Sequence, residues 1–191
     1  MELSLENVNK AASTNGVIIG ILSTAIGVVT FYVFPSLLGS MSFGIASLII
    51  SLLIYIFFTL DLRKKVGGFW SFREALKAIF MMAFIAGLVY SVANFVFYRF
   101  VEPGAFEKIS GFMESGMSQT FENMGMEQEK IDEAVAKQIE GMKAQYDPSP
   151  AQFFKNLGIA VIVQFVMSLI FAAIFKKEAP VFVSGTEEEE E

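Results

Sequence analysis

The sequence predicts an all-α membrane protein, with four transmembrane helices and an extracytoplasmic amphipathic helical hairpin between the third and the fourth. Two observations carry this prediction. The chain of 191 residues is 54% hydrophobic and 18% charged, whereas soluble domains are about 25% charged. Its apolar residues are concentrated in four segments with ~19–21 uncharged residues each, enough for a helix to cross a hydrocarbon core of ~30 Å. Because the segments lack the alternating pattern of barrel strands, we expect helices, which pair every backbone group internally.

The four segments are separated by links of very different length. In chain order the segments cover about residues 15–34, 41–60, 76–98 and 157–175. The second segment stops at Asp61, and the fourth is closed by Lys176 and Lys177. Residues 1–180 are therefore interpreted as one transmembrane domain, whose insert 102–150 lies between the third and fourth helices. Residues 181–191, which end in the acidic run 187–191, are predicted to be a disordered tail.

Lysine and arginine cluster at one end of the predicted bundle. The link between the second and third segments carries Arg63, Lys64, Lys65, Arg73 and Lys77. Lys10 precedes the first segment and Lys176 follows the fourth, whereas the link between the first and second segments carries neither residue type. Because cytoplasmic links are enriched in lysine and arginine, we expect both termini in the cytoplasm and the insert 102–150 outside it.

The third segment has a recognisable start. Ser71 and Glu74 have the spacing of a capping box, in which each side chain bonds the backbone N–H of the other residue. Gly67 and Gly68 allow a tight turn before it, after which Trp70 is expected at the level of the lipid headgroups. A phosphate-binding role for the two glycines is the alternative, and a helix start is the favoured interpretation.

The insert 102–150 is predicted to form two amphipathic helices, separated by Gly125 and ended by the run Asp147-Pro148-Ser149-Pro150. At about 100° per residue, the first helix collects apolar side chains on one face: Phe106, Ile109, Met113, Met117, Phe121 and Met124. The second helix does the same with Ile131, Val135, Ile139, Met142 and Tyr146. Helices this short cannot bury a core alone, so we expect the stripes to pack on each other, on the membrane surface or on a partner.

The first stripe is the predicted partner-binding surface, comprising Phe106, Ile109, Met113, Met117 and Phe121. Its flank is acidic, with Glu107, Glu114 and Glu122, which disfavours contact with anionic lipid. A membrane-protein partner or the second amphipathic helix is therefore favoured as its cover. Capture of Cu(I) by the methionine thioethers is an alternative, but an apolar face already accounts for most of these methionines.

Two amides are the main polar groups inside the predicted helices. Asn94 and Gln164 are expected to lie on neighbouring antiparallel helices and to form an interhelical hydrogen bond, with a substrate contact as the alternative. Two strips of small residues also occur at every fourth position, namely Gly16, Gly20 and Thr24 in the first segment and Ala83, Gly87 and Ser91 in the third. We expect these strips to pack within the bundle, with self-association as the alternative.

The residue types that are absent exclude several classes of function. The chain contains no Cys and no His, which removes thiolate nucleophiles, the common zinc and haem ligands and the usual general base. We therefore predict no cofactor, no metal site and no catalytic residue, and we expect that the protein is not an enzyme. The run 187–191 holds five of the acids, and without it the net charge falls from −6 to −1, so no nucleic-acid partner is expected.

Four short motifs occur in order along the chain, namely residues 64–75 (KKVGGFWSFREA), Glu102-Pro103, residues 125–131 (GMEQEKI) and the closing pair Lys176-Lys177. Their order resembles a bacterial membrane-protein family, the domain of unknown function 4199 (DUF4199). The resemblance covers roughly residues 10–180. It implies a four-helix protein of the bacterial cytoplasmic (inner) membrane with no assigned activity, so it contributes no functional residues.

Three classes of function remain open at this point. A binding or scaffold role is favoured, in which the extracytoplasmic helices contact lipid, the cell envelope or a membrane-protein partner. The alternative is a small transporter or channel component, which requires a polar track near Asn94 and Gln164. An enzyme is the least favoured class, because no base is visibly placed beside a nucleophile.

Overall fold

A computed structural model describes residues 5–38, 40–146 and 149–178, with only the backbone described for Leu5, Glu6 and Ala144. The helices in this part of the chain are α1 (Leu5–Val33), α2 (Met41–Lys65), α3 (Phe72–Val96), α4 (Ala105–Asn123), α5 (Gln128–Tyr146) and α6 (Pro150–Phe175). A 3₁₀ turn, Pro35–Leu37, follows α1, and a π-helical turn, Phe97–Val101, extends α3. The predicted tail 181–191, and Asp147 and Pro148 of the predicted helix stop, lie outside the described residues.

Four of these helices are long and apolar enough to cross a membrane, namely α1, α2, α6 and α3 with its π-helical turn. This confirms the predicted all-helical membrane protein. The helices are longer than the apolar segments from which they were predicted. α1 begins at Leu5 and not near residue 15, and α2 continues to Lys65 and not to residue 60. They extend further because a helix pairs its own backbone groups, so charged side chains such as Lys10 and Asp61 do not end it.

α6 begins earlier than its apolar segment. The segment starts near residue 157, but the helix starts at Pro150. Ser149 Oγ accepts a hydrogen bond from the backbone N–H of Gln152 (3.2 Å), and Pro150 occupies the first helical turn, where its missing N–H has no helical partner to lose. Residues 150–156 therefore belong to α6, and they add the amide side chains of Gln152 and Asn156 to it.

α3 is the central helix of the bundle. It packs against both α1 and α6, while α2 lies at the edge and contacts mainly α1. Gly16 and Gly20 permit the close approach of α1 to α3, because a Cβ at Gly16 would lie 2.6 Å from the Met82 carbonyl oxygen and one at Gly20 would lie 2.7 Å from Val89 Cβ. Gly87 of α3 lies against a side chain of α6. The glycines of the two predicted strips are thus used for packing within the bundle.

The α2–α3 link is joined to the end of α6 at one end of the bundle, which we call the basic end. The backbone of Trp70 exchanges two hydrogen bonds with that of Lys177, at 2.8 and 3.1 Å. Its indole N–H donates to the carbonyl oxygen of Phe175 (2.8 Å), one of the carbonyls that a helix end leaves without an intrahelical partner. We call this set of contacts the Trp70 clasp. It places the basic residues of the link beside those that follow α6, as the sequence predicted.

The start of α3 is built as predicted. Ser71 Oγ accepts a hydrogen bond from the Glu74 backbone N–H (3.4 Å), and the Glu74 carboxylate accepts one from the Ser71 backbone N–H (2.7 Å). Gly67 and Gly68 have φ angles of +92° and +86°, which L side chains rarely adopt. Trp70 differs from expectation, because it is only 3% exposed and packs inside the bundle, so it is not a headgroup anchor.

At the opposite end, which we call the hairpin end, α4 and α5 pack against each other and against the end of α1. The buried residues of this cluster are Phe31, Ala105, Ile109, Met113 and Tyr146. Burial raises the pKa of Tyr146 to about 12, so its phenol is neutral at physiological pH. Gly125, with φ of +76°, makes the turn between α4 and α5, as predicted.

Glu102 connects the start of α4 to the end of α1. Its carboxylate accepts hydrogen bonds from Lys108 and from the hydroxyl of Tyr32, the latter at 2.6 Å. These bonds, from Lys108 first and Tyr32 second, hold the pKa of Glu102 below its usual range. A carboxyl with a lowered folded-state pKa contributes stability above its unfolded-state pKa and loses that contribution as the pH falls through the folded-state value. At neutral pH the Glu102 carboxylate is therefore ionised and accepts both hydrogen bonds.

Candidate functional site

The predicted partner-binding surface is covered by the chain itself. Ile109 and Met113 are buried in the cluster at the hairpin end. Phe106 and Met117 pack against the same cluster, and Phe121 is half-buried. The sequence left open whether the second amphipathic helix, the membrane surface or a partner covers this stripe. In the structure, the second amphipathic helix and the end of α1 cover it. Ile109 and Met113 are therefore not available to an external partner, which corrects that part of the prediction.

The predicted hydrogen bond between Asn94 and Gln164 is not formed. Asn94 Nδ2 donates to the backbone carbonyl oxygen of Tyr90, one turn earlier in α3 (2.8 Å). Gln164 lies against Gly87, which precedes Asn94 on α3 by about 10 Å at a rise of about 1.5 Å per residue. The two amides thus lie at different heights in the bundle. The position of each amide within its apolar segment did not determine its height in the bundle precisely enough. An error as long as one side chain decides whether two amides can meet.

Gln164 lies about midway along α6. It lies about 21 Å along α6 from Pro150 and about 16 Å from Phe175, near the middle of the span. Its Oε1 is buried and has no hydrogen-bond partner among the described residues. A Cβ at Gly87 would overlap the amide nitrogen of Gln164, so glycine at that position leaves the room that this side chain occupies.

Three cavities in the described part of the chain share Gln164 in their lining. The first, of about 470 Å³, lies between α2 and the α3–α6 pair and is mostly apolar. The second, of about 370 Å³, lies between α1, α2 and α3. The third, of about 590 Å³, lies between α5 and α6. All three volumes fall within the range of roughly 300–1,000 Å³ that is typical of small-molecule sites.

We call the first two cavities the α2 cleft, because they share Ser51, Tyr55 and Gln164. The apolar lining of the cleft includes Leu48, Ile79, Val163 and Phe171. Hydroxyl groups are supplied by Ser23, Ser47, Ser51, Tyr55 and Tyr90. The only buried residues of α2 are Thr59 and Leu62, both toward the basic end. The rest of α2 is loosely packed, so the cleft lies beside the lipid-facing surface.

The third cavity is lined by a row of amides on α6. Gln152, Asn156 and Gln164 are separated by four and eight residues, and residues four apart form one inclined row on a helix surface. Gln145 of α5 lines the same cavity. We call these four residues the amide row. Its α6 part extends over about 18 Å, from the hairpin end to the middle of the span.

The lining of the three cavities is uncharged. No Asp, Glu, Lys or Arg is among the residues that line them. Within residues 5–38, 40–146 and 149–178 there is also no group of three or more Asp or Glu side chains that could hold a metal ion. The site therefore offers amides, hydroxyls and apolar surface, which are groups suited to hydrogen bonding and packing.

A second polar cluster, at the basic end, was missed by the sequence analysis. Asn15 is 2% exposed, and its Nδ2 donates to Asp61 Oδ2 (2.9 Å). Lys65 Nζ lies 2.6 Å from the same oxygen and 3.4 Å from Asn15 Oδ1. The only signal in the sequence is the spacing of four between Asp61 and Lys65. Because these groups satisfy one another, the cluster joins α1 to α2 and is a weaker candidate for a ligand site than Gln164.

A family model described as protein of unknown function (DUF4199) matches residues 14–177. The matched region includes α2 to α6 and most of α1, and with them the α2 cleft, the amide row and the Trp70 clasp. No curated protein and no solved structure matches the chain.

Proposed function

The chain belongs to the DUF4199 family, whose description assigns no activity, and we propose that it is a membrane protein that binds an amphipathic, lipid-like molecule in the α2 cleft beside Gln164. The buried and unpaired Oε1 of Gln164 carries this proposal. A buried carbonyl oxygen without a donor costs about 1–3 kcal/mol. A ligand that donates a hydrogen bond to it removes that cost, which supports a polar ligand group beside this oxygen.

The rest of the cleft suits the apolar part of such a ligand. Leu48, Ile79 and Phe171 supply apolar surface to the first cavity, and burial of apolar surface contributes roughly 25 cal/mol per Å² when that surface leaves water. A molecule already dissolved in the bilayer gains less from this burial, so the polar contact at Gln164 supplies the selectivity. The edge position of α2 gives a lateral path from the bilayer.

Transport of the same ligand is the second candidate function, and the amide row favours it. Gln152, Asn156 and Gln164 would offer successive hydrogen bonds between the hairpin end and the middle of the span. Catalysis has less support, because no carboxylate lines the cavities and the chain has no histidine to activate a serine. We therefore propose binding, with or without transport, as the function.

A scaffold role through α4 and α5 has less support than the sequence suggested. The stripe that was expected to carry it is covered within the chain, as Ile109 and Met113 are buried. A protein partner would have to use the remaining exposed apolar side chains of this region, such as Phe112 and Met124. These two are separate side chains and not a continuous stripe.

The ligand site is tested by replacing Gln164 with leucine. We expect the wild-type protein, extracted from membranes in mild detergent, to retain a bound lipid that native mass spectrometry detects. Loss of the hydrogen bond should reduce the retained fraction about tenfold, because one such bond is worth roughly 1–1.5 kcal/mol. Asn94→Leu is the matched control, since it removes an amide that bonds only its own helix. Equal retention by both variants and the wild type would contradict the site.

We also propose that the protein lies in a bacterial cytoplasmic membrane with both termini in the cytoplasm and with α4 and α5 outside it. The basis is the concentration of lysine and arginine at the basic end. The chain contains no cysteine, so a single introduced cysteine is the only thiol of the protein that the reagent can label. Cysteine at Lys137 should react with a membrane-impermeant thiol reagent in intact spheroplasts, whereas cysteine at Lys64 should react only after lysis. Both side chains are exposed, and the reverse labelling would contradict this orientation.

A further inference from the structure

We infer that the ligand of the α2 cleft is a neutral lipid alcohol, a molecule with apolar chains and an uncharged hydroxyl group that donates a hydrogen bond to Gln164 Oε1. Diacylglycerol is the simplest membrane lipid of this chemical class. This inference rests on the proposed function and adds the chemistry of the polar group. Three independent properties of the site lead to it.

The first property is the absence of charge in the lining of the three cavities. The residues that line the α2 cleft and the amide row include no Asp, Glu, Lys or Arg. Gln164 lies near the middle of the span, where an ion without a counter-charge is strongly disfavoured. A phosphate or ammonium headgroup would have to leave its water and find no ion pair. An uncharged headgroup reaches this depth at much lower cost.

The second property is the direction of the missing hydrogen bond. Gln164 Oε1 is a buried acceptor without a partner among the described residues, so a ligand that pairs it supplies a donor. Esters, ethers and ketones accept but do not donate, and they would leave the oxygen unpaired. A hydroxyl donates one bond and accepts others, and Ser51 and Tyr55, which line both cavities of the cleft, are suited to donate to it.

The third property is the length of the cleft. Along α3 the first cavity is lined by Ile79 and Ala83, and the second by Ala86, Gly87 and Tyr90. From Ile79 to Tyr90 the helix rises about 16 Å, which is about half of a hydrocarbon core of ~30 Å. This is the depth of one leaflet, so the apolar lining extends along the span beyond Gln164 and can contact part of an acyl chain.

The inference is tested with three lipids that share the same two oleoyl chains. They are diacylglycerol, the same diacylglycerol with its hydroxyl acetylated, and phosphatidic acid. Each is titrated into the full chain in mild detergent, and the bound fraction is measured by native mass spectrometry. We expect diacylglycerol to bind at least tenfold more tightly than either of the other two. In Gln164→Leu the preference over the acetylated lipid should fall below about twofold.

A pair of glycine variants tests the geometry without removing the amide. In Gly87→Ala the new methyl group takes the place of the Gln164 amide nitrogen, so the side chain must move away from its present position. We expect this variant to lose most of the preference for diacylglycerol. Gly44→Ala makes the same change on α2, where a Cβ meets nothing within 4 Å, and it should bind as the wild type does. Thermal unfolding of both variants checks that they are folded.

The outcomes separate this inference from the proposed function. If all three lipids bind equally and Gln164→Leu weakens each of them, the site is present but the hydroxyl assignment is wrong. If phosphatidic acid binds more tightly than diacylglycerol, the site is present but the assignment of an uncharged headgroup is wrong. If no lipid is weakened by Gln164→Leu, both the inference and the proposed ligand site are wrong.

Discussion

Replacement of Trp70 by alanine is expected to lower the free energy of unfolding in detergent by about 3–5 kcal/mol, the range for removal of a large buried aromatic side chain. The indole packs in the buried cluster of the basic end, together with Ala75, Ala78, Phe171 and Ala172. Its removal leaves a cavity there and deprives the Phe175 carbonyl oxygen of its donor. Thermal or chemical unfolding of the purified protein, followed by circular dichroism, measures the loss.

Two variants separate the parts of this effect. Phe69→Ala is the matched control, because Phe69 is 41% exposed and contacts the Lys177 ammonium over its ring at 5.1 Å. Such an exposed cation–π contact is worth about 0.5–1 kcal/mol. Trp70→Phe keeps much of the apolar volume but leaves the Phe175 carbonyl unpaired, so it should lose about 1–3 kcal/mol. A Trp70→Ala loss no larger than that of Phe69→Ala would mean that the clasp does not hold α6.

The Trp70 clasp also bears on the proposed ligand site. Trp70 precedes α3 and Phe175 ends α6, and the indole joins the two points. It therefore sets the height of α6 relative to α3 at the basic end. Gln164 and Gly87 lie on these same two helices, and their contact depends on that height. The clasp and the Gln164–Gly87 contact are thus two points that join α3 to α6, about 16 Å apart along α6.

The number and nature of the long helices were predictable from the sequence. Whether a segment is long and apolar enough to span a bilayer is a local property, and four segments meet that requirement. The start of α3 also has a local cause. Ser71 and Glu74 form the capping box in the expected way, whereas the extension of α6 to Pro150 depends on a cap at Ser149 that lies outside the apolar segment.

Contacts between helices were not predictable in the same way. In a helix that is apolar on all sides, hydrophobic periodicity does not indicate which face meets a neighbour, because lipid and protein are equally apolar surroundings. The sequence therefore identified Asn94 and Gln164 as the polar groups but paired them wrongly. It also could not show that α2 lies at the edge of the bundle, which is the reason that the cleft exists. The Trp70–Phe175 contact joins residues 105 positions apart.

The amphipathic insert was predictable in part. Its periodicity correctly indicated two helices, and the structure contains them as α4 and α5. The stripe on α4 had to be covered, but periodicity does not identify the cover. The end of α1 contributes Phe31 to the cluster, although no feature of the sequence near Phe31 indicates a contact with residues 105–146. The cover is thus a property of the folded bundle.

Met113→Glu is expected to detach α4 and α5 from the hairpin end while the four long helices remain folded. The Met113 side chain is 0% exposed, and the buried residues around it carry no charge, as they are Phe31, Ala105, Ile109 and Tyr146. The nearby cation of Lys108 is already paired with Glu102. A carboxylate placed there is a buried charge without compensation, which costs about 3–5 kcal/mol. The buried cluster of the basic end contains none of these residues, so it should persist.

Hydrogen exchange measures this detachment directly, because amides of a locally opened element exchange faster than those of the remaining core. The amides of residues 105–146 should lose protection in Met113→Glu, and those of α3 should keep it. Met113→Leu conserves volume and should cost less than about 1.5 kcal/mol. Met124→Glu places the same charge at a side chain that is 64% exposed and should leave exchange unchanged. Equal protection in Met113→Glu and Met124→Glu would show that the cluster does not hold α4 and α5 in place.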